Sequence, residues 1–394
     1  MCRTFKSKPL SSTAACSMDF SQFVSTINSL LAENEETSPS DEEILEVFEF
    51  FDKDNDGRLN EQEAAYFNNQ IEKRIRELRS ALVVVDFQND FIDGTLGLKV
   101  DLDFIAVYIP FFQYSEAKQD PTEIIEPINN LLHRHSDFDA VVYTLDWHPE
   151  EHISFYEYCR NEDRELNEKD RCRVLKPFSV VKFDKPNREQ TLYPIHCIEN
   201  TYGAALHKDL QLIDGAYFVY KGTNQFVDSY SAFMDNQGKI STNLNELLMD
   251  KQVDVVFIVG VALDVCVYST ARDGAKLGYL SAVVSDCSRG ISEKQIEKTQ
   301  DELARMNVPY VDSRTVHQFL DDSRVPWSWI RELIRQLTKE QPVAPTEETG
   351  NESRHSNEIL NGHPKSTSCS TPKLRRRKSS VRNVPLSSSA VCPS

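Results

Sequence analysis

Residues 254–278 read DVVFIVGVALDVCVYSTARDGAKLG. After Asp254 the run VVFIVGVA is apolar without a break, the pattern of a strand buried on both faces. The residues that follow have helical spacing. A buried strand feeding directly into a helix is the repeating unit of a parallel sheet covered on both sides. The same alternation extends through the chain. SALVVVDF (80–87), AVVYTLDW (140–147), YFVYKG (217–222), SAVVSD (281–286) and VPYVDS (308–313) are further strand candidates. EIIEPINNLLHRH (123–135), NLNELLMD (243–250) and EKQIEKTQDELARMN (293–307) are helical. The fold class expected over residues 80–337 is therefore α/β, a doubly wound and mostly parallel sheet with helices on both faces. Stretches 98–120 and 156–175 fit neither pattern and are expected to be insertions or long loops.

Composition narrows the function. The chain has 394 residues and a net charge of −18. So acidic a protein repels nucleic acid, which excludes that partner class. The nine cysteines are an odd number, scattered, with no CxxC pair. That argues for free thiols in a reducing compartment rather than a disulfide framework. Cytoplasmic residence is the expectation. No run of 18 apolar residues exists, so no membrane-spanning helix is expected. Residues 1–40 are polar and expected to be flexible. Their basic, Ser-rich start lacks the apolar core of a secretory signal, and a disordered leader is favoured over a mitochondrial transit peptide. Residues 338–394 have too few large apolar residues to offset their ordering entropy, so a disordered tail is expected there. Its KLRRRKSS is a solvated basic run, with a nuclear-import patch or a basophilic kinase site as the functional alternatives.

Between leader and sheet, residues 41–79 read helix–loop–helix. The loop DKDNDGRLNEQE (52–63) places Asp52, Asp54 and Asp56 at positions 1, 3 and 5. Gly57 supplies the turn at 6, the Arg58 carbonyl falls at 7, Asn60 at 9 and Glu63 at 12. This is the oxygen-rich spacing of an EF-hand calcium loop, because calcium takes six to eight hard oxygens. EF-hands usually pair, and no second intact loop is present. The stretch 19–37 has the position of a partner but lacks the ligand pattern.

The sheet carries its own chemistry. Asp86 ends the first strand, Asp146 the second and Lys221 the third. Cys266 opens the helix after the fourth. In open α/β sheets ligands bind beyond the carboxyl ends of the strands, so these four groups should converge. Alone, each has a plain explanation: an N-cap, a solvated lysine, an inert core thiol. Together they point to a nucleophile. A thiol at a helix N-terminus is biased toward thiolate, and the turn at Gly260–Ala262 can present amides to an oxyanion. In TLDWHPEEHISF (144–155), Asp146, His148 and His152 have the outline of a metal ligand set.

In this order, VVVDFQNDF (83–91), TLDWHPEEHISF, LYPIHCIENTYGA (192–204), YKG and GVALDVCVYSTARDGA resemble the nicotinamidases of the isochorismatase-like cysteine hydrolases. The resemblance covers about residues 80–320. An EF-hand in front resembles the animal members, insects among them. The resemblance implies Asp86, Lys221 and Cys266 as the catalytic triad. It implies Asp146, His148 and His196 as ligands of one divalent transition metal, with His152 just outside the set. Zinc fits these N/O donors, and iron or manganese are alternatives. The amides of Ala262 and Cys266 would form the oxyanion hole, with a cis peptide at Val261–Ala262. Phe91 and Tyr193 would flank a pyridine ring, Tyr193 standing where Trp is expected. The implied activity is hydrolysis of nicotinamide to nicotinate and ammonia through a cysteine thioester, in NAD salvage. The metal would hold the pyridine nitrogen and leave the carboxamide beside the thiol. The implied partner is this small substrate, with no nucleic acid and no membrane, and a homo-oligomer is left open. Two rivals stand: an amidohydrolase for another small amide, and a calcium-binding relative without activity.

Overall fold

The computed structural model of the chain describes residues 17–33, 38–98, 117 and 119–340. Strand β1 (Met18–Asp19) leads into α1 (Phe20–Leu30), and α2 (Asp41–Phe51) follows. Strand β2 (Arg58–Leu59) lies in the loop before α3 (Glu61–Phe67), which continues through a π-helical turn (Asn68–Glu72) into α4 (Lys73–Glu77). Next come β3 (Ser80–Val85), α5 (Asn89–Ile92), α6 (Ile125–Leu132) and β4 (Ala140–Asp146). Then follow β5 (Glu165–Leu166), α7 (Glu168–Cys172), β6 (Val180–Lys185) and β7 (Arg188–Thr191). After β8 (Tyr217–Lys221) and α8 (Leu244–Asp250), β9 (Val255–Val261) passes through a π-helical turn (Leu263–Val267) into α9 (Tyr268–Lys276). The described chain closes with β10 (Leu280–Arg289), α10 (Glu293–Ala304), β11 (Tyr310–Val311), α11 (Ser313–Asp322) and α12 (Trp327–Glu340).

Six strands form one sheet in the order β11-β10-β9-β3-β4-β8, and every neighbouring pair in it is parallel. Side chains alternate across it, as strand geometry demands. Leu82, Val84 and Phe257 face α6, α11 and α12, where Ile128, Phe319 and Trp329 meet them. Ala81, Val83, Val85 and Ile258 face α8, α9 and α10 through Leu248, Ala271 and Leu303. The buried Trp329 indole donates to the Ser281 carbonyl at 3.1 Å and pins α12 to β10. Chain order reverses at β3: β4 and β8 are added on one side, and β9, β10 and β11 on the other.

The flexible leader expected over residues 1–40 is corrected over 17–33, which are helical and packed. Phe23, Ile27 and Leu30 of α1 are buried, and Phe23 meets Phe48 and Phe67 with ring centroids 5.3 and 4.8 Å apart. Asp19 and Gln22 form a capping box, a signal within an otherwise polar stretch. β1 pairs antiparallel with β2, in the acidic loop, so this stretch is the loop's structural companion without ligands of its own. The apolar residues of α1 to α4 belong to the same cluster as one face of the sheet. The stretch 156–175, expected as irregular, contributes β5 and α7, and β5-β6-β7 form a small antiparallel sheet. Its strands are 2, 6 and 4 residues long, too short for periodicity to reveal them. Helix α12 runs to Glu340, so the first three residues of the expected tail are helical. The tail over 341–394, the leader over 1–16 and most of 98–120 lie outside the described residues.

Candidate active site

The reversal of chain order between β3 and β9 is where an open sheet leaves a crevice. Asp86 follows β3 with φ +50°, a left-handed conformation uncommon for a residue with a side chain. Opposite it, Gly260 has φ +116°, and a Cβ there would stand 2.1 Å from the Val85 carbonyl oxygen. Only glycine lets the two strands come this close. The Val261–Ala262 peptide is cis. The Ala262 carbonyl accepts from the amides of Val265 and Val267 at 3.0 and 3.1 Å, which closes the turn that carries Cys266.

Lys221 arrives from the end of β8 and is 1 % exposed. Its Nζ lies 2.8 Å from Asp86 Oδ2, 2.5 Å from Asp146 Oδ1 and 3.6 Å from Cys266 Sγ. It also donates to the Ser229 carbonyl at 3.0 Å. Burial alone would lower the lysine's pKa, but the carboxylates of Asp146 and Asp86 outweigh it and hold the pKa well above the ordinary value. Burial pushes the Cys266 thiol well above its ordinary value, and Lys221 offsets this only in part. This runs against the thiolate bias expected from a helix N-terminus. The sulfur sits inside a π-helical turn, where desolvation opposes the charged form, and a base beside it serves the reaction. Asp86 is suited to that role. Burial raises its carboxyl, against the pull of Lys221. Its Oδ2 touches Nζ but has no aligned hydrogen-bond donor, while Oδ1 accepts from the Thr144 hydroxyl at 2.6 Å.

Beside this cluster, one ligand atom each from Asp146, His148 and His196 lie within 4.8 Å of one another, and all three residues are buried. The donor set fits a metal ion. His148 Nδ1 stands 2.9 Å from the Gly222 carbonyl, and His196 Nδ1 stands 2.8 Å from the Pro194 carbonyl. Each carbonyl can only accept, so both rings carry hydrogen on Nδ1 and, when neutral, present a bare Nε2. His148 Nε2 is buried with no hydrogen-bond partner, 3.5 Å from Asp146 Oδ2. An orphaned imidazole nitrogen beside a carboxylate is the arrangement a cation fills. Burial, with His148 next, pushes His196 down to about 3, so it is neutral and able to ligate near neutral pH. Burial opposes protonation of His148 too, but Asp146 more than offsets it and raises the pKa.

Residues 80–315 match the isochorismatase domain model. The chain is 32% identical over 249 residues to a nicotinamidase of Saccharomyces cerevisiae, covering 59% of this chain and 98% of that one. It is 32% identical over 248 residues to a nicotinamidase of Acinetobacter baylyi, covering 62% and 99%. Among solved structures it is similar to an Acinetobacter baumanii nicotinamidase and pyrazinamidase, with 32% identity, coverage of 61% and 99%, and a TM-score of 0.48. The chain belongs to the isochorismatase family.

Several residues that shape this isochorismatase-family site escaped the sequence reading. Gln88 donates to the Asp146 and Ala204 carbonyls at 2.7 and 2.8 Å and accepts from the Asp146 amide at 2.8 Å, fixing the metal-side carboxylate. Asp90 Oδ2 accepts from the Cys197 amide at 2.7 Å and so holds the loop that carries His196. Gly222 has φ +66°, and a Cβ there would stand 2.4 Å from His148 Cε1. The available signal was DFQND (86–90) at the end of an apolar strand: Asp86, Gln88 and Asn89 are polar yet buried. Thr144, buried mid-strand in β4, gave no signal. His152 lies outside the Asp146 set, its ring stacked on His148 at 4.1 Å and its Nδ1 2.7 Å from Ser154 Oγ. Phe91 and Tyr193 both border His196, with ring centroids 5.6 and 5.8 Å away. The Tyr193 hydroxyl stands 3.0 Å from that of Tyr230.

In the distant loop, Asp52, Asp54 and Glu63 each bring an oxygen within 4.8 Å of the others. Asp56 stands outside that group, its Oδ1 accepting from the Arg58 amide at 2.8 Å. Glu63 accepts from the amides of Lys53 and Asn60 at 2.7 and 3.0 Å.

Proposed function

We propose that the protein is a nicotinamidase, hydrolysing nicotinamide to nicotinate and ammonia in the service of NAD salvage. The observation that carries the reading is Lys221 Nζ reaching Asp86, Asp146 and Cys266 at once, in a chain 32% identical to nicotinamidases along nearly their whole length. Asp86 takes the proton of the Cys266 thiol, and Lys221 balances the charge that moves between them. The sulfur attacks the carboxamide carbon, and the amides of Ala262 and Cys266 receive the oxyanion. Asp86 returns the proton to the amide nitrogen as the C–N bond breaks, and ammonia leaves. Water then hydrolyses the thioester and frees the carboxylate and the thiol. Asp146, His148 and His196 would hold a divalent ion, with zinc suiting the donors and iron or manganese as alternatives; when bound, it supplies a Lewis acid for the pyridine nitrogen. Phe91 and Tyr193 would flank the ring. Ammonia release from nicotinamide by the purified protein tests the reading, and absence of release from metal-replete protein would overturn it.

We further propose that the loop over 52–63 is a calcium-binding EF-hand, taking oxygens from Asp52, Asp54, Asp56, the Arg58 carbonyl and Glu63. The convergence of Asp52, Asp54 and Glu63 and the pairing of β1 with β2 support it. The module shares its apolar cluster with the sheet, which favours a structural ion over a switch.

A further inference from the structure

We propose that Thr144 is the positioning residue of the catalytic carboxylate, holding Asp86 so that Oδ2 alone exchanges the reaction's proton. The inference rests on the reading of Asp86 as the base for Cys266. Thr144 is wholly buried in β4, the strand beside β3. Its Oγ1 lies 2.6 Å from Asp86 Oδ1, and the Asp86 amide donates to the same Oγ1 at 3.2 Å. A hydroxyl has one hydrogen and two lone pairs, and an amide can only donate. The amide is shared between this oxygen and the Thr144 carbonyl, at 3.2 Å each, and an ionised carboxylate can only accept, so the hydroxyl hydrogen points at Oδ1. Oδ1 is then an acceptor throughout the cycle and cannot carry the migrating proton without displacing that hydrogen.

Oδ2 has no such partner. It lies 2.8 Å from Lys221 Nζ without an aligned donor, and Nζ is 3.6 Å from Cys266 Sγ. The step is then defined. The S–H bond breaks, its electron pair stays on sulfur, and an O–H bond forms at Oδ2. Later that O–H bond breaks, and the proton goes to the amide nitrogen as the C–N bond cleaves. The Thr144 O–H bond is kept throughout. A β-branched side chain suits this task, because χ1 is stiff and the hydroxyl direction is set by the strand.

The test compares Thr144→Val, which deletes the hydroxyl at nearly constant shape, with Thr144→Ser, which keeps it. Thr144→Val should lower kcat about 10- to 100-fold, the scale of one lost hydrogen bond to a charged group. Its KM should stay within about threefold, since nothing that touches the ring changes. Alkylation of Cys266 by iodoacetamide should slow in the same variant, with metal per chain unchanged by elemental analysis. Thr144→Ser should restore most of both rates. If Thr144→Val does not fold, Thr144→Ala carries the same expectation. Wild-type kcat in the hydroxyl-free variant, a Ser variant as impaired as Val, or a loss proportional to lost metal would each overturn the inference. Turnover by Cys266→Ala or Asp86→Asn would instead bring down the reading of the site itself.

Discussion

Asp86 and Asp146 are buried around Lys221, whereas Asp52, Asp54 and Glu63 gather on a loop where, among the described residues, no lysine or arginine pairs with them. The first cluster carries its own cation among buried groups. Lys221 offsets one of the two carboxylate charges before any ligand arrives, and its Nζ is held 3.6 Å from the thiol. The second is partly exposed, with Asp54 open to solvent and backbone amides as its present partners. An acid cluster with a built-in cation is suited to moving a proton. One without is suited to receiving an ion from solution.

The strongest way to break this contrast is to remove the nucleophile. Cys266→Ala should reduce kcat at least about 10⁴-fold with the unfolding midpoint little changed, because a methyl cannot form the thioester. Cys197→Ala, although beside His196, should retain turnover within about threefold. Assays of both variants beside circular dichroism decide it, and near-normal turnover by Cys266→Ala would remove the mechanism.

Removing the cation should affect stability as well as rate. Lys221→Met leaves two carboxylates buried without compensation, a cost of about 3–5 kcal/mol near neutral pH. Removing one charge from the loop by Asp54→Asn should cost less than about 1 kcal/mol without calcium, since that acid is exposed. Denaturant unfolding of the two variants under identical conditions measures the difference. Equal losses would show that the two clusters are not built differently.

The metal set comes next. His148→Ala or His196→Ala should lower bound metal by elemental analysis and raise KM about tenfold or more. Metal-free protein that is fully active in the wild type would contradict the assignment. The pH profile gives a smaller effect with a defined sign. Burial raises the Asp86 carboxyl, and the base must be ionised to take the thiol proton. Activity should therefore fall as pH falls through a point above the ordinary aspartate value of about 3.9. An acid limb of kcat/KM at or below that value would assign the base elsewhere.

The smallest effect belongs to the loop. Calcium at about 100 times its dissociation constant should add about 2.7 kcal/mol, a rise of about 4 °C in Tm for a folded unit of this size. kcat/KM should change by less than about twofold, and Glu63→Gln should abolish the shift in Tm. Calorimetry showing no calcium binding would dismiss the site, and a several-fold change in turnover would make it a switch.

The sequence by itself determined the sheet and its contents. Apolar runs at 80–87, 140–147 and 254–262 are strands because a sheet covered on both faces needs uninterrupted apolar residues, and 217–222 adds a half-exposed edge strand. Once they are strands, Asp86, Asp146, Lys221 and Cys266 must stand at one edge. The spacing of Asp52, Asp54 and Glu63 was likewise local, since one short loop brings the three carboxylates together. Tertiary structure alone decided what depends on neighbours distant in the chain. The order of α1 came from burial of Phe23 and Ile27 against α2 and α3, which polar composition concealed. The small sheet β5-β6-β7 came from pairing between segments too short to show a period. Burial pushes the Cys266 thiol up, and burial is not written in the residues beside it. Thr144 reads as any strand threonine until β3 lies beside β4 and brings the Asp86 carboxylate 2.6 Å from its hydroxyl.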